Sequence, residues 1–206
     1  MELYKLGSRG EVVKQIQRAL HLIEDGIYGQ NTKAAVEAFQ RANGLTADGV
    51  VGPATLAKLI SCRWKKSKRT IKEIIVHCTA TPEGRNYTVE QCRADHKKQG
   101  WSDIGYHYLI YRDGSIHNGR DVDLIGAHCA AGGHNTYSIG VAYVGGMTKD
   151  MKQPKDTRTL QQKAALLNLL TDLRRQYPQA KIYGHHDFEK KKDCPSFDAK
   201  TEYKSL

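Results

Sequence analysis

The sequence has no long run of hydrophobic residues. None of its apolar stretches approaches the roughly 20 residues that a membrane-spanning helix needs. The opening residues Met1-Glu2-Leu3-Tyr4-Lys5 also lack the apolar core of a secretory signal peptide. These absences argue against a transmembrane protein. They predict synthesis in the cytoplasm without a signal peptide, followed by release or export by another route.

The sequence also lacks a regular cysteine framework. It contains five cysteines, which are Cys62, Cys78, Cys92, Cys129 and Cys194. An odd number without a repeating spacing argues against a disulfide scaffold and predicts reduced thiols. We interpret Cys78 and Cys92 as small core residues, and the role of Cys129 stays open.

Acidic residues are outnumbered by basic ones. The chain carries 32 Lys and Arg against 22 Asp and Glu, a formal net charge of +10. Residues 1–60 hold seven basic and six acidic side chains, a net charge of +1, so the rest of the chain carries +9. Such a charge suits nucleic acid, an anionic membrane or an anionic cell-wall polymer. Because no nucleic-acid-binding motif appears, and only Trp64 interleaves the basic run, we expect no nucleic-acid partner.

Residues 1–60 contain an internal repeat. The segment Asp25-Gly26-Ile27-Tyr28-Gly29 is echoed by Asp48-Gly49-Val50-Val51-Gly52, and both have the composition of a turn. Apolar residues at helical spacing precede and separate these turns: Val12, Val13, Ile16, Ala19 and Leu20, then Ala34, Ala35, Val36, Ala38 and Phe39. We predict a small three-helix domain over residues 1–61. The densely basic run that follows predicts a solvated linker over residues 62–70.

Residues 71–206 alternate between strand and helix patterns, which predicts a second domain. Strands are expected at 73–77, 138–144 and 181–183, with a hairpin around Arg112-Asp113-Gly114. Thr88-Val89-Glu90-Gln91 has the capping-box pattern of a helix start. A long helix is expected to begin near Asp156 or Thr157, with Leu160, Ala164, Leu167, Leu170 and Leu173 on its apolar face. The alternation predicts an α/β fold with a mixed central sheet flanked by helices.

Metal-binding side chains collect near the ends of two predicted strands. His77 ends the apolar run Ile74-Ile75-Val76, the pair His185-His186 follows the last strand, and Pro195 makes the backbone at Cys194 rigid. Two imidazoles and one thiolate form a strong donor set for Zn²⁺, and three protein ligands leave a position for water. A fourth ligand from Cys78, His107 or His128 would instead close the site.

Four ordered motifs between residues 71 and 203 resemble the type 2 N-acetylmuramoyl-L-alanine amidases, a family that includes phage amidase-lysozymes and is related to peptidoglycan recognition proteins. They are Ile74-Ile75-Val76-His77-Cys78-Thr79-Ala80-Thr81, Gly100-Trp101-Ser102-Asp103-Ile104-Gly105-Tyr106-His107-Tyr108, Ser138-Ile139-Gly140-Val141 and Cys194-Pro195-Ser196-Phe197-Asp198. The segment from Leu6-Gly7 through Phe39-Gln40 to Gly44-Leu45 and Thr55 is similar to three-helix peptidoglycan-binding domains.

The resemblance implies one Zn²⁺ per chain, held by His77, His185 and Cys194, and it implies Tyr106 and Lys192 as catalytic residues. The loop before Cys194 is one residue longer than in the phage enzymes, so counting forward from His185 selects Lys191 instead. We prefer Lys192 because Cys194-Pro195 is the more rigid anchor. The resemblance also implies that His128 and Asn135, in a glycine-rich loop, bind substrate.

The predicted function is zinc-dependent hydrolysis of the amide between N-acetylmuramic acid and L-alanine in peptidoglycan, by a monomer acting on the cell wall. One alternative is a non-catalytic peptidoglycan-recognition protein, which an intact donor set argues against. Another is a cysteine hydrolase with Cys194 as nucleophile and His185 as base. The position of Cys194, before Pro195 in a polar loop, does not favour it.

Overall fold

The computed structural model describes residues 3–20, 22–60 and 64–206. The chain divides into two compact units, Met1–Arg63 and Trp64–Leu206. Cys62, the opening residues Met1 and Glu2, and the start of the expected linker lie outside the described residues. No helix of the described residues is long and apolar enough to cross a membrane.

The first unit consists of three helices, α1 (Glu11–Ala19), α2 (Gln30–Ala42) and α3 (Pro53–Ile60). Pro53 occupies the first helical position of α3, where its missing N–H costs nothing. The core is apolar and contains Val13, Ile16, Tyr28, Val36, Val51 and Leu59. The predicted helices are therefore present.

The internal repeat has a structural basis in two buried glutamines. The side-chain amide of Gln17 donates hydrogen bonds to Asp25 (2.7 Å), the Ile27 carbonyl (3.0 Å) and Thr32 (3.1 Å). Gln40 makes the same three bonds to the second turn, through Asp48, the Val50 carbonyl and Thr55. Each glutamine thus ties one turn to the helix that follows it.

The second unit is built on a five-stranded mixed sheet. Its main strands are β1 (Glu73–Cys78), β3 (Tyr108–Ile110), β4 (Ile116–Asn118), β5 (Ser138–Tyr143) and β7 (Lys181–Gly184), in the order β4-β3-β5-β1-β7. Only the β3–β4 pair is antiparallel. Two short strands, β2 (Thr81–Pro82) and β6 (Gly146–Met147), pair separately. The predicted mixed sheet is confirmed.

Helices pack on the two faces of this sheet. They are α4 (Val89–Lys98), α5 (Leu160–Gln176) and the short α6 (Ala199–Glu202). Thr88 caps α4 with the expected capping box, its hydroxyl accepting from the backbone N–H of Gln91. On one face, Cys92 of α4 packs in a cluster with Leu109 and Ala142, and Leu169 of α5 lies in the larger cluster on the other face.

Two details of α5 differ from the sequence prediction. The helix is capped by Thr159 rather than Asp156 or Thr157, because the Asp156 carboxylate instead pairs with the guanidinium of Arg158 at 2.8 Å. Its buried face is Gln162, Ala165, Leu166, Leu169, Leu170, Leu173 and Gln176. Leu160 is 83% exposed, so the predicted face was only partly right.

Residues 64–70 are packed on the second unit, which corrects the expectation of a solvated linker. The Trp64 ring lies edge-on to Tyr108 with centroids 5.1 Å apart. The Ser67 hydroxyl donates to the Val122 carbonyl at 2.6 Å, and Arg69 donates to the same carbonyl at 2.8 Å. Two of its cations have partners on the domain surface: Lys65 pairs with the carboxylates of Asp121 and Asp123, and Arg69 donates to backbone carbonyls.

Candidate metal centre

His77 and His185 are brought together by two parallel strands. Val76 pairs with Gly184 in the register of β1 and β7, so His77, the next residue of β1, lies level with His185, which directly follows β7. The two imidazole rings have centroids 4.6 Å apart. The completely buried run Ile74-Ile75-Val76 fixes the position of His77.

Cys194 reaches the same edge through a loop that turns back after a 3₁₀ turn at His185–Asp187. The His186 N–H donates to the Cys194 carbonyl at 2.8 Å, and the Tyr143 hydroxyl donates to the Pro195 carbonyl at 2.7 Å. The backbone N–H of Cys78 donates to the Cys194 sulfur at 3.3 Å. Hydrogen bonds to the sulfur and to the carbonyls of Cys194 and Pro195 therefore fix the position of the thiol.

The ligand atoms of His77, His185 and Cys194 all lie within 4.8 Å of one another. Among residues 3–20, 22–60 and 64–206, this is the one group of three or more His, Cys, Asp or Glu donors that could hold a metal ion. The Cys78 thiol packs against Gly146 instead, and His107 Nδ1 accepts from the Gly140 N–H at 2.9 Å. The donor set fits Zn²⁺ with a position left for water.

The electrostatics of the site favour neutral imidazoles. Burial lowers the pKa of His77 well below its usual value, and the neighbouring His128 and His185 lower it further. Burial also lowers the pKa of His185. Neutral imidazole is the form that binds metal. The neighbouring Cys78 thiol and burial raise the pKa of Cys194, a direction that a bound cation reverses.

Tyr106 lies beside this cluster, just before β3. Its ring centroid is 5.2 Å from that of His77, and its hydroxyl donates to the Cys78 carbonyl at 3.5 Å. Burial raises the pKa of Tyr106 well above its usual value, so the phenol keeps its proton. It is a hydrogen-bond donor beside the three ligand side chains.

Lys192 lies on the loop before Cys194, with its side chain about half exposed. Its ammonium is 3.9 Å from Glu189, whose carboxylate lies 3.0 Å from Nε2 of His185. The positive charge of Lys192 contributes, after burial and the two neighbouring histidines, to the lowered pKa of His77. Of the two candidate lysines, Lys192 is the one with an ion pair to Glu189, and its catalytic role stays a prediction.

Comparison with known proteins identifies the chain. A family model described as N-acetylmuramoyl-L-alanine amidase matches residues 67–197, well over half of the chain. The chain belongs to the N-acetylmuramoyl-L-alanine amidase family. A second family model, of peptidoglycan binding domains, matches residues 9–59. The amidase is therefore a peptidoglycan hydrolase with an N-terminal peptidoglycan-binding region, as the sequence predicted.

Individual relatives support this assignment. The amidase is 44% identical to the endolysin of Enterobacteria phage K11 over 132 residues, which are 64% of this chain and 84% of that protein. It is 43% identical to the endolysin of Escherichia phage T7 over 136 residues, 66% and 87% of the two chains. The solved endolysin amidase LysCS from Clostridium intestinale superposes with a TM-score of 0.55 at 29% identity, covering 65% of this chain and 80% of that one.

The structure shows the contacts of His128 and Asn135, for which substrate binding stays a prediction. His128 is only 6% exposed, and its Nδ1 lies 3.0 Å from Nε2 of His77. The side-chain oxygen of Asn135 accepts from the backbone N–H groups of His128 (2.9 Å) and Cys129 (2.7 Å). Both polar groups are engaged inside the amidase, because the glycine-rich loop folds back on β5.

Sequence reasoning missed two groups beside the site. One is the Glu189 carboxylate, which links His185 to Lys192; its i,i+4 spacing from His185 was the available signal. The other is the backbone N–H of Cys78, and no side-chain pattern could have revealed this donor.

Proposed function

We propose that this amidase is a zinc-dependent enzyme that hydrolyses the amide between the lactyl group of N-acetylmuramic acid and L-alanine of the stem peptide. The observation that carries the proposal is the convergence of three ligand side chains at one sheet edge, within 4.8 Å, in a member of this family. His77, His185 and Cys194 would hold the ion. When bound, Zn²⁺ supplies a Lewis acid and lowers the pKa of water to about 7.

Tyr106 and Lys192 would act on the negative charge that develops on the amide oxygen. The phenol of Tyr106 stays protonated because burial raises its pKa, so it can donate a hydrogen bond. The ammonium of Lys192 is held near the cluster by Glu189, at 3.9 Å. One well-placed donor contributes about 3–4 kcal/mol to such stabilisation.

The N-terminal unit would tether the enzyme to its polymer. Residues 9–59 match peptidoglycan-binding domains, and a tether raises the local concentration of the catalytic unit at the wall. We propose that the protein is a monomer with two functional domains and that it acts on the cell wall, which it lyses or remodels.

A cysteine hydrolase is the less favoured chemistry. The neighbouring Cys78 thiol and burial both raise the pKa of Cys194, whereas a nucleophilic cysteine needs a lowered one. A protein that only recognises peptidoglycan would not need Tyr106 and Lys192 beside a complete donor set.

Mass spectrometry of digested peptidoglycan tests the proposal. Purified sacculi incubated with the Zn²⁺-loaded enzyme should release free stem peptides that begin with L-alanine, while the glycan strands stay intact. Shortened glycan strands or cut cross-bridges would refute the assigned bond. Undiminished activity after exhaustive chelation would refute the metal dependence.

A further inference from the structure

His128 connects His77 to the start of β5. It is buried, and its two ring nitrogens have different partners: Nδ1 lies 3.0 Å from Nε2 of His77, and Nε2 lies 3.3 Å from the hydroxyl of Ser138. Ser138 is itself completely buried. The three side chains therefore form a continuous polar row inside the domain, leading away from the metal centre.

The direction of the hydrogen bonds along this row follows from His77. Its Nδ1 faces the sulfur of Cys194 at 3.7 Å, so Nδ1 is the atom that points into the donor cluster. A neutral imidazole that offers Nδ1 to a metal carries its proton on Nε2. His77 Nε2–H must then donate to Nδ1 of His128. The proton of His128 consequently lies on Nε2, where it donates to Ser138.

The backbone around His128 leaves room for its ring and for little else. A Cβ atom at Gly126 or at Gly140 would stand 2.5 Å from Cδ2 of His128, so neither position accepts a side chain without displacing the imidazole. His107 packs from a third side, with ring centroids 5.6 Å apart. The ring is thus held in one place by its surroundings.

We propose that His128 is a positioning residue for the metal centre. It accepts the Nε2 proton of His77, selects that tautomer and holds the imidazole with Nδ1 towards Cys194 and His185. This inference rests on the proposed zinc site. Groups that orient a metal-binding histidine in this way typically change metal affinity by about 10–100-fold when removed.

Zinc affinity of three variants, measured by competition with a chelator, tests the role. His128→Phe keeps a ring but removes the acceptor, and we expect Zn²⁺ affinity to fall by about 10–100-fold. His128→Asn restores an acceptor near the Nδ1 position and should recover most of the loss. His117→Phe is the control: it makes the same ring replacement at a histidine that stacks on Tyr111 rather than on His77 or His128, and it should leave affinity within about threefold. Circular dichroism verifies that each variant is folded.

Each result decides for or against the role. An unchanged affinity in folded His128→Phe, or an equal loss in His117→Phe, would overturn it. A wild-type chain that binds no Zn²⁺ would overturn the proposed function first, before any variant is compared. Nitrogen-15 NMR of the unmodified Zn²⁺-loaded protein gives a test that needs no variant. We expect the His128 imidazole to carry its proton on Nε2 and none on Nδ1. The opposite tautomer would contradict the proposal.

Discussion

Nδ1 of His77 lies 3.7 Å from the sulfur of Cys194, although 117 positions separate the two residues in the chain. His77 is the last residue but one of a central strand, and Cys194 lies on a loop that returns to that strand. The backbone N–H of Cys78, next to His77, donates to the same sulfur. The imidazole and the thiol are thus held in a fixed relation by the fold, and His185 completes the donor set.

Replacing the thiol should remove metal binding. For Cys194→Ser we expect Zn²⁺ affinity to fall by about 100-fold or more, since loss of a ligand exceeds the loss of a supporting group, and activity should fall with it. Cys129→Ser is the control, because Cys129 is also a free thiol, more deeply buried than Cys194, and lies outside the cluster. Isothermal titration with Zn²⁺ measures both. Equal affinities for the two variants would rule out Cys194 as a ligand.

Removing the phenol hydroxyl should slow the reaction without releasing the metal. We expect Tyr106→Phe to lower kcat by about 100-fold, because a protonated donor near the developing charge is lost. The ring and its packing against His77 are retained. Steady-state kinetics on soluble muropeptides, with zinc content measured in parallel, checks this. A rate close to that of the wild type would make Tyr106 a packing residue.

The two adjacent lysines allow a sharper comparison. Lys192→Ala should lower kcat by about 100-fold, whereas Lys191→Ala should have little effect, because the structure brings Lys192 to Glu189 beside His185. The same kinetic assay measures both variants. If Lys191→Ala is the damaging change, the longer loop has shifted the catalytic amine by one residue. If neither variant is impaired, the lysines belong to a solvated surface.

The packing of residues 64–70 predicts where the chain can be shortened. A catalytic unit that begins at Trp64 should fold and cleave soluble muropeptides, but act more slowly than the full chain on intact sacculi. A unit that begins at Thr70 loses the Trp64–Tyr108 contact and the hydrogen bonds of Ser67 and Arg69 to Val122. We expect it to be less stable by about 3 kcal/mol or more.

Urea unfolding of the two shortened chains tests the second expectation. Equal midpoints would show that residues 64–69 add no stability and that the sequence prediction of a solvated linker was adequate. Equal activity of the Trp64 unit and the full chain on sacculi, over a range of enzyme concentrations, would show that the N-terminal unit is not a targeting module.

Acid should destabilise the metal-free protein through its buried histidines. Burial lowers the pKa of His107 to about 4, below the value near 6.5 of the unfolded chain. The unfolded state therefore binds more protons between those pH values, so stability is fully present above pH 6.5 and is lost as the pH falls towards 4. The loss from His107 alone is about 3 kcal/mol. Urea unfolding at several pH values measures it, and His107→Phe should show a correspondingly smaller pH dependence.

The sequence by itself determined the order of the elements and supplied the candidate residues for the chemistry. The apolar run before His77 predicted a buried strand, and Thr88-Val89-Glu90-Gln91 predicted the start of α4, because these features are encoded by neighbouring residues. The motif resemblance predicted the amidase family for the same reason, because each of the four motifs is a short contiguous segment of the sequence.

Tertiary structure decided which way side chains face and what they contact. The buried face of α5 depends on where the sheet lies, since Leu160 and Leu166 both fit an apolar helix and only Leu166 meets the sheet. His128 and Asn135 turned inward because their partners come from a folded-back loop and a central strand. The basic run at 64–70 packs on the domain through hydrogen bonds to Val122, which lies more than 50 positions away in the chain. Contacts at that range arise only when the chain is folded, so no local pattern could reveal them.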